Sequence, residues 1–198
     1  MDLLLAFLMI LFALNPVGKA SLFIAELHLL EPAVRRRIVL RELALALIVM
    51  ASFLAAATVA LERIGRAPLL VAAGGLVLAV MGARRLLYGG GGISVEAARR
   101  DRLFFPLAFP FIAGPSVLAA ELVLVARDPT RWPGWGTAAY LAWIVSGVLL
   151  YASPRVQASL GPRGVRLVEI VAGVGLLLLA VEIFLYGSLE APGFLPVG

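Results

Sequence analysis

Two prolines interrupt long apolar stretches of this chain. Pro16 lies in Leu14-Asn15-Pro16-Val17-Gly18 and Pro115 in Ala113-Gly114-Pro115-Ser116, 99 positions apart. Proline has no N–H to donate, and its ring clashes with the carbonyl one turn back, so a helix cannot run through it undisturbed. Inside hydrocarbon each unpaired backbone group costs several kcal/mol, so such a break must face protein or a water-filled cavity. The interval recurs at the end of each half. Leu87-Tyr88-Gly89 returns as Leu185-Tyr186-Gly187 at an offset of 98, and in that register Gly75 falls on Gly173 and Leu78 on Leu176. The pattern reads as one unit used twice, each copy opened by a broken helix, which is how transporters place polar backbone within a bilayer.

Hydrophobic residues make up 62% of the 198 positions and mean hydropathy is +1.02, well beyond the roughly half expected of a soluble globule. Several apolar runs exceed the ~20 residues needed to span hydrocarbon. Six spans are predicted, at about 3–27, 38–61, 68–88, 103–126, 136–153 and 165–187. The first has only Asp2 before it and no convincing cleavage site, so it reads as a span and not as a signal peptide. Cysteine is absent, which removes disulfides, thiol chemistry and thiolate metal sites. The net charge of +5 comes from residues in loops beside spans, where they set topology and do not indicate nucleic acid.

The arginines sort by side. The connections after spans one, three and five hold Arg35, Arg36, Arg37, Arg41, Arg84, Arg85, Arg99, Arg100, Arg102, Arg155, Arg163 and Arg166, and the other side holds Arg63, Arg66, Arg127 and Arg131. Twelve against four places both termini outside the cytoplasm. Three spans per repeat is an odd number, so the second copy must enter from the opposite side. The expected fold is an all-α polytopic membrane protein with six transmembrane helices in two inverted three-helix repeats, helices one and four being broken. It forms a single transmembrane domain over 1–198, with repeat one at about 1–89, a glycine-rich, basic linker at 90–102 and repeat two at about 103–198.

The breaks are the candidate site. Proline at position 16 is expected to free carbonyls near Leu11 and Phe12, and each restarted half-helix offers N–H groups and a positive dipole end to an anionic group such as a carboxylate. Substrate contact is therefore expected from Asn15, Pro16, Gly18, Lys19, Ser21, Gly114, Pro115 and Ser116. A plain proline kink that only improves packing is the bland alternative, weakened by the equivalent placement of the two breaks. Charged groups at depth cost about 2.5–3.5 kcal/mol or more and usually face a cavity or a partner. Lys19, one turn past the break, is the hardest to explain as structure. Glu121, Glu169 and Glu182 also lie within spans, with Glu26, His28 and Glu42 nearer an interface. Arg84 and Glu182 fall opposite each other in the repeat and read as side chains that snorkel to the surface. Gly74, Gly75, Gly82, Gly173 and Gly175 read as close-packing surfaces, and Trp132 and Trp135 as an interfacial belt.

Asn15, Pro16, Val17, Gly18 and Phe23 resemble the opening motif of the MarC family, Asn-Pro-x-Gly-x-x-Pro-x-Phe. Residues Pro106 to Ser116 resemble its Pro-Leu-Ala-x-Pro-x-x-x-Gly-Pro-Gly segment, and Ala180 to Gly187 its final span. The chain departs from the pattern at Lys19, Ser21, Ser116 and Glu182. The resemblance implies a six-span inner-membrane protein, related to transporters of small neutral amino acids.

A secondary transporter of a small solute, small neutral amino acids favoured, is the expected function. Its site would lie at the bilayer midplane, and no nucleotide-binding loop is present to supply another energy source. The alternatives are a membrane channel, and an accessory or lipid-handling protein without transport activity. An aquaporin-like channel fits poorly, since its breaks lie in loops and the second break here lacks asparagine. An enzyme is not expected, because no convergent set of acid, base, nucleophile or metal ligands is visible. No cofactor or metal is called for. The expected partners are the small-molecule substrate, a coupling ion and membrane lipid, with no nucleic acid.

Overall fold

A computed structural model describes residues 1–27, 31–64, 67–88 and 112–190. These residues form α1 (Leu3–Leu14), α2 (Pro16–Leu27), α3 (Pro32–Ile64), α4 (Pro68–Tyr88), α5 (Pro115–Arg127), a short 3-10 turn (Pro129–Arg131), α6 (Trp132–Tyr151) and α7 (Ser153–Glu190). Four helices open on proline, at Pro16, Pro32, Pro68 and Pro115. At a first helical position the missing N–H would have had no intrahelical partner, and the fixed φ is already helical. Five stretches among the described residues are long and apolar enough to cross a membrane: Leu3–Ala20, Ala33–Arg63, Pro68–Tyr88, Pro129–Tyr151 and Ser153–Glu190. The first part of the expected fourth span, 103–111, and the linker at 90–102 lie outside the described residues.

The surface identifies the solvent. Leu69 and Leu87 on α4 and Leu178 on α7 are 70%, 73% and 67% exposed. In water each large exposed side chain forgoes about 1.5–3 kcal/mol of burial, whereas lipid tails accept it. Small residues face inward and bring backbones together. A methyl group at Gly75 would lie 2.7 Å from the Phe184 amide nitrogen, and one at Gly82 3.1 Å from that of Leu177. With no hydrophobic drive between helices in lipid, such close van der Waals contact is what holds them. The pairs run in opposite order, Gly75 with Phe184, Gly82 with Leu177 and Gly187 with Ala72, so α4 and α7 are antiparallel. The contact also exchanges under the sequence offset: Gly75 meets Phe184, and Gly173 meets Leu86. On the other side of the bundle α1 and α3 pack against α6, where Trp143 Nε1 donates to the Leu43 carbonyl at 3.0 Å.

Three expectations change in detail. Helix α3 runs from Pro32 to Ile64 and exceeds the expected 38–61. Helix α7 begins at Ser153 and is broken at Gly161 (φ 62°, ψ 176°), a conformation open essentially only to glycine, before Pro162 restarts it. Trp132 is exposed as expected of a belt, but Trp135 is 2% exposed, because its Nε1 donates to the Asp128 carbonyl at 2.9 Å and draws the ring against the turn.

Candidate functional site

The first break is built from two adjacent residues with separate tasks. Asn15 caps α1 in the left-handed conformation (φ 46°, ψ 58°), which asparagine tolerates better than most side chains, and Pro16 begins α2. The Asn15 amide still donates to the Leu11 carbonyl at 3.0 Å, so Leu11 keeps its partner, contrary to expectation. The freed acceptors are one turn further on. Arg85 donates through Nη1 to the Phe12 carbonyl and through Nη2 to the Ala13 carbonyl at 2.7 Å. A guanidinium fork at a helix C-terminus satisfies orphan acceptors and opposes the negative end of the dipole.

The second break reaches the first. Gly114, extended at φ −81° and ψ 178°, precedes Pro115 at the start of α5, as the steric demand of a following proline favours. From the first turn of α5 the Ser116 hydroxyl donates to the Ala13 carbonyl at 3.0 Å. From the first turn of α2 Lys19 Nζ donates to the Ile112 carbonyl at 3.1 Å. Ala13 and Ile112 are equivalent under the 99-residue offset. Each half-helix therefore holds the carbonyl end of the opposite break.

A carboxylate completes the cluster. Glu169 of α7 is 8% exposed, and its Oε2 lies 3.6 Å from Arg166 Nη1. Gly18 packs between Glu169 and Asn15: a methyl there would come within 2.7 Å of Glu169 Oε1 and closer still to Asn15 Nδ2. Arg166 also donates to the Leu86 carbonyl at 2.8 Å, tying α7 to the end of α4. The arrangement brings the cations Lys19 and Arg85 onto carbonyls of the two breaks, with Asn15 and Glu169 about Gly18 and Arg166 beside Glu169.

Of the residues expected at the site, Asn15, Gly18, Lys19, Gly114 and Ser116 come together, and Pro16 is buried beside them. Pro115 is exposed and sets the backbone only. Ser21 lies in α2, but its side chain is outside the described residues, as is His28. Sequence reasoning assigned Arg85 to a topogenic loop and gave Glu169 no role. Both are legible as helical registers. Val71, Gly75, Leu78 and Gly82 form the buried face of α4, and Arg85 continues it; Ala172, Leu176, Ala180 and Ile183 form that of α7, and Glu169 begins it. Glu182, expected to snorkel, is 52% exposed, and its Oε1 lies 3.7 Å from Arg127 Nη1. Glu42 is buried beside Arg41, whose Nη2 donates to its Oε1 at 2.7 Å. Glu121 in α5 is 0% exposed, and neither of its oxygens has a hydrogen-bond partner among the described residues. The described residues hold no group of histidine and acidic side chains able to bind a metal.

The sequence also matches known proteins. The profile of the MarC family of integral membrane proteins matches residues 1–191. The chain belongs to the MarC family. It is 31% identical over 188 residues to the UPF0056 inner membrane protein YhgN of Escherichia coli (strain K12), covering 94% of this chain and 95% of that one. A UPF0056 membrane protein of Buchnera aphidicola subsp. Baizongia pistaciae is 29% identical over 184 residues, covering 91% and 92%. One from Chlamydia pneumoniae is 33% identical over 92 residues, 46% of each chain. No solved structure matches the chain. Like the rest of the MarC family, this is a multi-pass membrane protein; the names of these relatives carry no substrate.

Proposed function

We propose that this MarC protein is a secondary transporter of small solutes, with small neutral amino acids the favoured class, and that the paired breaks form its binding site. The observation that supports this most is the crossed pair of contacts, Ser116 to the Ala13 carbonyl and Lys19 to that of Ile112. Residues a hundred positions apart converge where backbone is free to exchange partners. A zwitterion suits the charges: its carboxylate can replace a carbonyl as acceptor for Lys19 or Arg85, and its ammonium can take Glu169 and the released carbonyls. Gly18, whose Cβ position is already crowded by Asn15 and Glu169, favours small side chains in the solute. Alternating access then follows from exchanging protein acceptors for solute acceptors, at little net loss of hydrogen bonds.

The test is uptake of radiolabelled glycine, alanine and serine into proteoliposomes, with and without an imposed proton or sodium gradient. Asn15→Gly keeps the left-handed backbone available and removes only the side chain; Glu169→Gln keeps the shape and removes the charge. Transport lowered at least tenfold in both, with the proteins still folded, is the expected result. Undiminished transport in the double variant sinks the site. Swelling of the same vesicles at channel rates would replace the carrier by a pore.

A further inference from the structure

A polar cavity lies toward the C-terminal end of α7. Tyr186 stands seventeen residues beyond Glu169 on that helix, about 25 Å along the axis, so this cavity is separate from the breaks. It has a volume of about 200 Å³ and is lined by Met1, Arg127, Asp128, Arg131, Trp135 and Tyr186. We propose that it binds an oxyanion, held by the guanidinium groups of Arg127 and Arg131.

Both arginines are held by aromatic faces. Arg127 Cζ lies 4.0 Å from the centre of the Tyr186 ring, and Arg131 Cζ 5.0 Å from that of Trp135. Cation–π stacking uses the face of a guanidinium and leaves its N–H donors in the plane at the edge, where a carboxylate or phosphate approaches. Arg127 Nη1 is buried and has no hydrogen-bond partner among the described residues. Its nearest charge, Glu182 Oε1, is 3.7 Å away on a side chain 52% exposed, too far for a hydrogen bond. A buried charged donor that has a distant ion partner but no hydrogen bond still lacks an acceptor, so the position favours one that arrives from outside. Arg131 uses Nη1 on the Met1 carbonyl at 3.1 Å.

The lone carboxylate of the lining does not fill this role. Asp128 Oδ1 already accepts from the Thr130 amide at 3.1 Å and the Thr130 hydroxyl at 2.6 Å. These bonds, with Trp135 on the Asp128 carbonyl, brace the turn that carries Arg131 and follows Arg127. The guanidiniums of Arg127 and Arg131 therefore keep N–H edges toward the cavity, with Asp128 engaged by Thr130 and Glu182 set 3.7 Å from Arg127 Nη1.

The shared chemistry has two sources, a small soluble anion and a lipid phosphate. Full-length protein in phosphatidylcholine nanodiscs would be titrated calorimetrically with acetate and with inorganic phosphate at constant ionic strength. In parallel, tryptophan emission would be followed as phosphatidylglycerol replaces phosphatidylcholine. Saturable binding of a free anion assigns the cavity to a solute; a saturable emission change with phosphatidylglycerol alone assigns it to lipid. In either arm Arg127→Gln with Arg131→Gln should weaken binding at least tenfold. Arg131→Gln alone, at an exposed position that the fold tolerates, should weaken it several-fold, which keeps the test valid should the double variant not fold. No saturable response in both arms, or a response unchanged in Arg131→Gln, overturns the proposal.

Discussion

At the first break the chain passes through a left-handed Asn15, and at the second through an extended Gly114. The carbonyl end of the first receives three donated bonds, two from Arg85 and one from Ser116. The described carbonyl of the second, at Ile112, receives Lys19. Positions that match in sequence are thus built differently. Both cations that serve a break, Lys19 and Arg85, come from the first half of the chain, while Glu169 and Ser116 come from the second. Backbone and small residues keep the repeat, as Gly75 against Phe184 and Gly173 against Leu86 illustrate. The polar side chains depart from it.

The comparison presupposes that the halves enter the membrane from opposite sides, and this can fail outright. Because the chain has no cysteine, single substitutions report cleanly. Asp2→Cys and Thr130→Cys should react with an impermeant thiol reagent from outside intact cells, and Arg36→Cys and Arg155→Cys only after lysis. The reverse labelling of Thr130 and Arg155 would end the inverted arrangement.

The next largest effect should come from Arg85→Met. It strips both N–H donors from the Phe12 and Ala13 carbonyls at the end of α1, at a cost of about 3 kcal/mol. Chemical or thermal unfolding in detergent measures it, and Arg85→Lys should recover only part, since an ammonium does not reproduce the planar fork. A loss of under ~1 kcal/mol would mean that the first break does not depend on its cation.

Equivalent glycines should then respond unequally. Gly75→Ala drives a methyl group onto the Phe184 backbone, whereas Gly173→Ala meets Leu86 Cδ2 at 3.0 Å, a side chain able to rotate away. We expect about 2 kcal/mol for the first and under ~1 kcal/mol for the second by the same unfolding assay. Equal costs would show that the α4–α7 contact is more symmetric than it looks. The smallest effect should be that of Ser116→Ala, about 1 kcal/mol or less, because Arg85 also serves the Ala13 carbonyl. A larger loss would make the crossed contact, and not the cation, the main brace of the first break.

Much of this architecture follows from local rules that any reader of the chain can apply. Long apolar runs specify spans because unpaired backbone cannot exist in hydrocarbon. Asn15-Pro16 and Gly114-Pro115 specify breaks because proline lacks an N–H and the residue before it must leave the helical path. Small residues at Gly75, Gly82 and Gly173 specify a contact face, and the absence of cysteine removes whole classes of chemistry. What only the tertiary structure decided is which donor reaches which freed carbonyl. Arg85 looks like one more topogenic arginine until its side chain reaches the end of α1, 72 residues away in sequence, and its fork closes on Ala13. Glu169 looks like a stray charge until Gly18 admits it. Spans and breaks depend on a residue and its near neighbours along the chain. The partners of a long, flexible, charged side chain depend on how distant helices are placed, and that placement comes from the packing of the whole bundle.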